Sequence, residues 1–149
     1  GRPMFLRSEN AKFTLANFMR TNIYSAIATL KIGMEILEKE NVVIDKLMGH
    51  GGLFKTEYVG QKLMSGAMKA PVSVLSTAGE GGAWGIAVLA SFAKESFGLS
   101  LDEFLDEKVF SKFEIKTTVP DEKDISGFEK YMQLYKKSLA VEKSAVENI

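Results

Sequence analysis

Apolar residues recur at helical spacing over the first long segment of the chain, residues 14–39. A period near 3.6 residues places such side chains along one side of a helix, so the pattern predicts a largely buried helix here. The final segment shows the same spacing and predicts a C-terminal amphipathic helix. The residues that set the two patterns are Phe18, Ile23, Ala26, Ile27, Leu30, Met34 and Leu37, and then Phe128, Met132, Tyr135 and Leu139.

Between these two helices, short β-branched runs alternate with helical segments. Residues 42–48 and 72–76 are rich in valine, isoleucine and leucine, which predicts two buried strands. A helical pattern follows each strand, over residues 57–69 and then through about residue 93. This order predicts an α/β fold with a parallel βαβα core, because parallel strands need crossover helices.

The pattern changes after Gly98. Residues 101–110 predict a short helix, the alternation over residues 113–119 predicts a strand, and residues 120–127 form a polar region that predicts a turn. No internal repeat or low-complexity linker interrupts the chain.

Composition and charge narrow the class of protein. The 149 residues are 46% apolar and 26% charged, which suits one globular domain with a real core. Lysine and arginine total 19, as do aspartate and glutamate, so we expect neither nucleic acid nor membrane as a partner. The absence of cysteine removes disulfides and thiolate chemistry and favours the cytoplasm. Because the chain starts at Gly1 rather than methionine, we expect a piece of a longer protein.

The loop after the first predicted strand, GHGGLFKT at residues 49–56, is close to the phosphate-binding pattern G-x-x-x-x-G-K-[ST]. Lys55 and Thr56 are in register, but Phe54 occupies the position where glycine lets the backbone approach phosphates. A true P-loop is therefore disfavoured. Two interpretations remain open: the glycines let a ligand approach the following helix N-terminus, or they only make a tight turn.

The second loop, GEGGAWG at residues 79–85, lacks the spacing G-x-G-x-x-G of dinucleotide-binding proteins because its sixth residue is Trp84. Its small residues favour close helix packing, and Glu80 suits the first turn of a helix. His50, the single histidine, has no acidic partner visible in the sequence, so we expect it to make a loop contact or a helix cap rather than act as a general base. No compact acidic metal-binding motif is present, and we assign no catalytic residue.

Several motifs in fixed order carry a resemblance to a known family. They are FTLANFMR at residues 13–20, GHGGLFKT, Gln61 five positions beyond Thr56, the pair Pro71 and Val72, and then Glu80, Ala83, Trp84, Gly85 and Ala87. Together they resemble the C-terminal domain of the FGGY carbohydrate kinases, and within that family the xylulokinases. The first loop departs from the commoner form by one extra residue and by His50 and Phe54.

The resemblance implies a partial ribonuclease H-like, actin-like ATPase domain spanning residues 1–149. It implies ATP or ADP with Mg²⁺ as cofactor, and a pentulose such as D-xylulose bound by a separate N-terminal domain that also carries the catalytic aspartate. Ribulose, gluconate or glycerol kinases, a non-catalytic nucleotide-binding module and a purely structural α/β domain are the alternatives. An uncovered sheet edge and apolar helix surface would also favour self-association.

The same resemblance implies a set of cofactor-binding residues, which are Gly49, Gly51, Gly52, Lys55, Thr56 and Gln61. Gly51 and Gly52 would contact ribose and α-phosphate through the backbone, and Thr56 would cap the following helix. Lys55 is a candidate phosphate contact, with a solvated lysine as the alternative. Gln61 would support the loop or the adenine pocket, with an exposed helix glutamine as the alternative.

Overall fold

The computed structural model describes residues 4–76, 79 and 81–148, and the fold is mixed α/β. Over these residues the helices are α1 (Leu15–Lys39), α2 (Val59–Met68), α3 (Gly81–Glu95), α4 (Leu101–Phe104) and α5 (Glu122–Asn148), and the strands are β1 (Leu47–Gly49), β2 (Val72–Leu75) and β3 (Ile115–Thr118). A single π-helical turn, Leu105–Val109, continues α4. None of the helices described is both long and apolar enough to span a membrane.

The chain divides into two compact units. The first contains the described parts of residues 1–43, 66–69 and 121–149, and the second contains residues 44–65 and the described parts of 70–120. The second unit holds the sheet and both glycine loops, so the candidate site belongs to it alone.

The first unit is built on the packing of α1 against α5. The ring centroids of Tyr24 and Phe128 lie 5.0 Å apart in an edge-to-face arrangement, and further along the Thr29 and Tyr135 hydroxyl oxygens are 3.2 Å apart. Because the contacts advance together along both helices, α1 and α5 run in the same direction. Both predicted helices are confirmed, and their buried side chains include Tyr24, Ile27, Ala28, Phe128 and Met132. The prediction that the first helix is largely buried is wrong, because three residues of its apolar pattern are exposed to solvent: Phe18, Leu30 and Leu37.

The second unit is organised around a three-stranded sheet in the order β1-β2-β3. β2 is central and buried throughout, pairs in parallel with β1 and pairs antiparallel with β3, so the sheet is mixed rather than purely parallel. The hydroxyl oxygens of Ser73 and Thr117, which face each other across β2 and β3, are 2.7 Å apart. This cross-strand pair satisfies a polar side chain at the centre of an otherwise apolar strand.

The first strand begins at Leu47, later than predicted, and the end of α1 takes up the first residue of the expected strand. Asn41 adopts a left-handed φ of 56° and its amide donates to the Glu38 carbonyl, while the Val42 amide donates to the Leu37 carbonyl. These two bonds form a Schellman cap, which satisfies carbonyls at the helix end. Val42 is thereby part of the cap, and the predicted strand start at residue 42 is wrong.

The predicted polar turn over residues 120–127 is also wrong, because α5 begins at Glu122. Asp121 supplies the helix cap: its Oδ1 accepts from the Lys123 amide at 2.9 Å and from the Asp124 amide at 3.4 Å. Glu122 and Asp124 place negative charge in the first turn, where the helix dipole favours it. Polar residues that suggested a turn are instead the N-terminal signal of a long helix.

Candidate functional site

The loop that leaves the carboxyl end of β1 makes a tight turn before α2. Gly51 has a φ of 96°, a conformation that side-chain-bearing residues rarely adopt. The Phe54 amide then donates to the Gly51 carbonyl at 3.0 Å, and the Lys55 amide donates to the Gly52 carbonyl at 3.2 Å. Gly51 therefore makes a tight turn, which leaves open whether its backbone also contacts a ligand.

Phe54, the residue that breaks the P-loop pattern, packs against the first glycine of the motif. A Cβ added to Gly49 would lie 2.6 Å from the Phe54 ring. Gly49 is buried, so the protein itself uses the missing side chain there to seat an aromatic ring. The large Phe54 at the sixth position of the motif therefore requires the small Gly49 at the first position.

Gly51 and Gly52 differ from Gly49 because the space beside them is open. Nothing in the described structure comes within 4 Å of the position that a Cβ would occupy on either residue, and the same holds for Gly82 at the start of α3. Backbone at all three positions can therefore be approached closely by a ligand. The first turn of α3 also offers amide groups that lack helical partners and favour an anion.

His50 joins the first loop to the start of α3. A Cβ added to Gly81 would lie 2.7 Å from His50 Nδ1, so the imidazole occupies the space that a side chain at residue 81 would need. The expected loop contact of His50 is confirmed. The contact holds the open glycine backbone of the first loop beside the N-terminus of α3.

A cleft of about 290 Å³ adjoins this loop, at the carboxyl end of β2 and the beginning of α2. In α/β sheets, ligand sites form at the carboxyl ends of parallel strands. The cleft brings together Lys55 and Gln61 from the predicted set. Its lining consists of Phe54, Lys55, Glu57, Gln61, Val74, Ser76, Glu114 and Lys116.

Gln61 is buried on α2, with only 3% of its surface exposed. The alternative of an exposed helix glutamine is therefore wrong. Its side-chain oxygen Oε1 is also buried and has no hydrogen-bond partner among the residues described. A buried acceptor left in this way costs roughly 1–3 kcal/mol. Such a group is an unusual feature in a folded protein and marks the cleft as a candidate binding site.

An ion pair lines the cleft. Lys116 Nζ lies 2.5 Å from Glu57 Oε1, and this hydrogen bond and the attraction of the carboxylate raise the pKa of Lys116, which keeps the lysine charged. Glu57, Glu114 and Lys116 were not predicted as site residues, because the pair joins positions 59 apart in sequence. The alternation of β3 did place Glu114 and Lys116 on one strand face, a signal that could have found them.

The predicted role of Thr56 as a helix cap is wrong. α2 begins at Val59, and Tyr58, with a φ of 64°, occupies the position before it. Thr56 lies in the exposed part of the loop, outside the helix. Lys55 extends toward the second loop, since a Cβ added to Gly79 would lie 3.2 Å from its Cε. Glu80, for which a first-turn role was expected, lies outside the described residues.

A family model supplies the decisive comparison. The model of the FGGY family of carbohydrate kinases, C-terminal domain, matches residues 1–94. The chain belongs to this family. The matched region contains both glycine loops and all six predicted cofactor-binding residues, so the family assignment and the site refer to the same part of the molecule. Carbohydrate kinases of the FGGY family use ATP, typically with Mg²⁺.

Two other comparisons add no relative. Neither the curated proteins nor the solved structures contain a significant match to this chain.

Proposed function

We propose that this chain is the nucleotide-binding portion of an ATP-dependent sugar kinase. The observation that carries the proposal is the open backbone of Gly51 and Gly52, held beside the N-terminus of α3 in a chain of the FGGY family. A phosphate group favours such a place, because unpaired amides and the helix dipole both attract negative charge. The parallel pairing of β1 and β2 around α2 supports a ribonuclease H-like, actin-like ATPase fold for the complete domain.

The residues present fit an adenine nucleotide. Gly51 and Gly52 would contact ribose and α-phosphate through the backbone, Lys55 would approach a phosphate, and the neighbouring cleft would take the base. When bound, the nucleotide with Mg²⁺ supplies the phosphoryl group to be transferred. The contribution of this chain is to hold and orient the nucleotide, which is the larger part of catalysis in phosphoryl transfer.

The acceptor in the proposal is a pentulose, D-xylulose, bound by a separate domain in the cytoplasm. The support is the resemblance of the ordered motifs to xylulokinases, and a ribulose, gluconate or glycerol kinase is the alternative. We expect D-xylulose to give no heat with this chain alone, because the sugar contacts and the catalytic aspartate belong to the other domain.

The Gly52→Val variant tests the nucleotide site directly. A Cβ at this position would have no other described residue within 4 Å, so the fold is expected to persist while the new side chain fills the space for ribose and α-phosphate. We expect calorimetry to show ADP binding to the wild-type chain and at least about a tenfold loss of affinity in the variant, or ~1.4 kcal/mol.

Gly33→Val is the matched control, because Gly33 is equally open but lies in α1. It should bind ADP as the wild-type chain does. ADP binding that survives Gly52→Val unchanged would show that the glycine loop does not contact the nucleotide. A chain that binds neither ADP nor ATP would favour the alternative of a purely structural domain.

We also propose that the chain associates with a second copy of itself through an N-terminal aromatic cluster, made of Phe5, Phe13 and Phe18. Their ring centroids lie 5.5–6.2 Å apart, yet the side chains are 53%, 61% and 38% exposed. Leu15 and Met19, close to them in sequence, are also exposed. Exposed apolar patches often mark sites of protein association. A formal net charge of zero removes repulsion between copies.

Sedimentation velocity over a range of concentrations checks the association. We expect a concentration-dependent shift from monomer to dimer, and about a tenfold weaker association for Phe13→Ser, since one anchor of the patch is lost. Phe97→Ser is the control, because Phe97 is 81% exposed but belongs to the second unit. A strictly monomeric profile at high concentration would contradict the proposal.

A further inference from the structure

A second cavity, of about 410 Å³, is lined by α3 and by the π-helical turn, and all of its described lining residues belong to the second unit. The lining residues on α3 are spaced three and four apart, which places them on one face of that helix. They include Trp84, Val88, Ser91 and Glu95. A volume of this size is typical of small-molecule sites.

Aromatic rings pack against both walls of this cavity. The ring centroids of Trp84 and Phe113 lie 5.4 Å apart, edge to face, and those of Phe104 and Phe92 are separated by the same distance. Phe104 and Val109, five residues apart across the π-helical turn, both line the cavity and are buried. Single π turns occur frequently at functional sites. The cavity therefore offers fixed aromatic surfaces to a flat apolar group.

Phe97 lines the same cavity in a conformation that is costly for its residue type. It has a φ of 52°, which is rare for a bulky residue, and it is 81% exposed. Strained backbone of this kind clusters at ligand-binding positions. A ligand in the cavity would cover this exposed ring and so offset part of the cost.

Two opposite charges at the cavity indicate the class of ligand. Glu95 and Lys108 both line it, and neither forms an ion pair within the described part of the chain. A ligand with only a carboxylate would be repelled by Glu95, and one with only an ammonium group would be repelled by Lys108. A ligand that carries both charges beside an apolar group complements the two side chains together.

We infer that this cavity binds a free amino acid with an aromatic side chain, such as L-phenylalanine. Its carboxylate would pair with Lys108 and its ammonium group with Glu95, while its ring would lie against Trp84 and Phe104. The cavity shares none of its described lining residues with the cleft beside the glycine loop. The inference therefore goes beyond the proposed function and does not depend on it.

The indole signal of Trp84 reports this binding directly, because Trp84 is the single tryptophan and lines the cavity. In ¹H–¹⁵N spectra, L-phenylalanine should shift that signal saturably, and L-alanine, which lacks the ring, should bind at least about tenfold more weakly. The methyl ester of phenylalanine lacks the negative charge, and its N-acetyl derivative lacks the positive charge. Each should bind about threefold more weakly than L-phenylalanine, because Glu95 and Lys108 are exposed and contribute modestly.

Two substitutions assign the charges to their partners. Lys108→Met should abolish the preference for L-phenylalanine over its methyl ester and keep the preference over the N-acetyl derivative, and Glu95→Gln should do the reverse. Lys94→Met is the matched control, because Lys94 is an exposed lysine beside Glu95 that does not line the cavity. This control should keep both preferences.

The ligand series on the wild-type chain needs no variant to fold. A Trp84 signal that shows no saturable shift up to the solubility limit of L-phenylalanine would overturn the inference. Equal affinity for L-phenylalanine, its methyl ester and its N-acetyl derivative would also overturn it, because the charges would then select nothing. Neither result changes the expectation for ADP at the glycine loop, so the proposed function is tested separately. The expected result is a saturable shift with two preferences, each lost in one variant.

Discussion

Phe128→Ala is expected to lower the free energy of unfolding by about 3–5 kcal/mol, the usual cost of removing a phenylalanine from a packed core. Phe128 is 2% exposed and packs edge-to-face on Tyr24, so it joins α5 to α1. Far-UV circular dichroism during urea unfolding measures the loss, because both helices contribute strongly to the signal.

An exposed phenylalanine provides the comparison for that variant. Phe97 is 81% exposed, and Phe97→Ala should change the free energy of unfolding by no more than about 0.5 kcal/mol. Equal losses for the two variants would mean that α1 and α5 do not pack through Phe128 in solution.

Gly60→Ala should destabilise the second unit by about 1–3 kcal/mol, although alanine is normally the better helix former. The added Cβ would lie 2.3 Å from the Leu53 carbonyl oxygen, and a backbone atom cannot move aside as a flexible side chain can. Either α2 or the glycine loop must shift. Fluorescence of Trp84, the single tryptophan, reports unfolding of this unit.

Gly33→Ala tests the same substitution where nothing obstructs it. Gly33 lies in α1, and beyond its own helix backbone no heavy atom of the described residues comes within 4 Å of a new Cβ, so alanine there should stabilise the helix by up to ~1 kcal/mol. If Gly60→Ala also stabilised the protein, the close packing of the first loop on α2 would be refuted. The opposite signs are the expected result.

The helices were largely predictable because their signals are local. The apolar periodicity of α1 begins next to its N-cap, Thr14, whose side chain accepts a hydrogen bond from the Asn17 amide three residues later. Ser100 and Glu103 form a capping box at the start of α4 in the same way. A local signal misled at Val42, whose β-branched side chain favours a strand. There the helix cap determines the structure, because the Val42 amide completes the cap of α1.

The candidate site was predictable only in part, because it depends on contacts between distant residues. Lys55 and Gln61 were found through motif order, and they do meet in one cleft. The pairing of Glu57 with Lys116 needs the antiparallel placement of β3, which no short motif encodes. The role of Gly49 likewise depends on Phe54 folding back over it.

A ¹H–¹⁵N correlation spectrum of this chain during titration with ADP and Mg²⁺ reports on the glycine backbone itself. We expect saturable shifts of the Gly51, Gly52 and Gly82 amide signals, because these are the backbone positions open to the nucleotide. D-Xylulose alone should leave the same signals unchanged. Saturation with ADP that moved none of the three amide signals, or no response to ADP at all, would contradict a nucleotide site at these glycines.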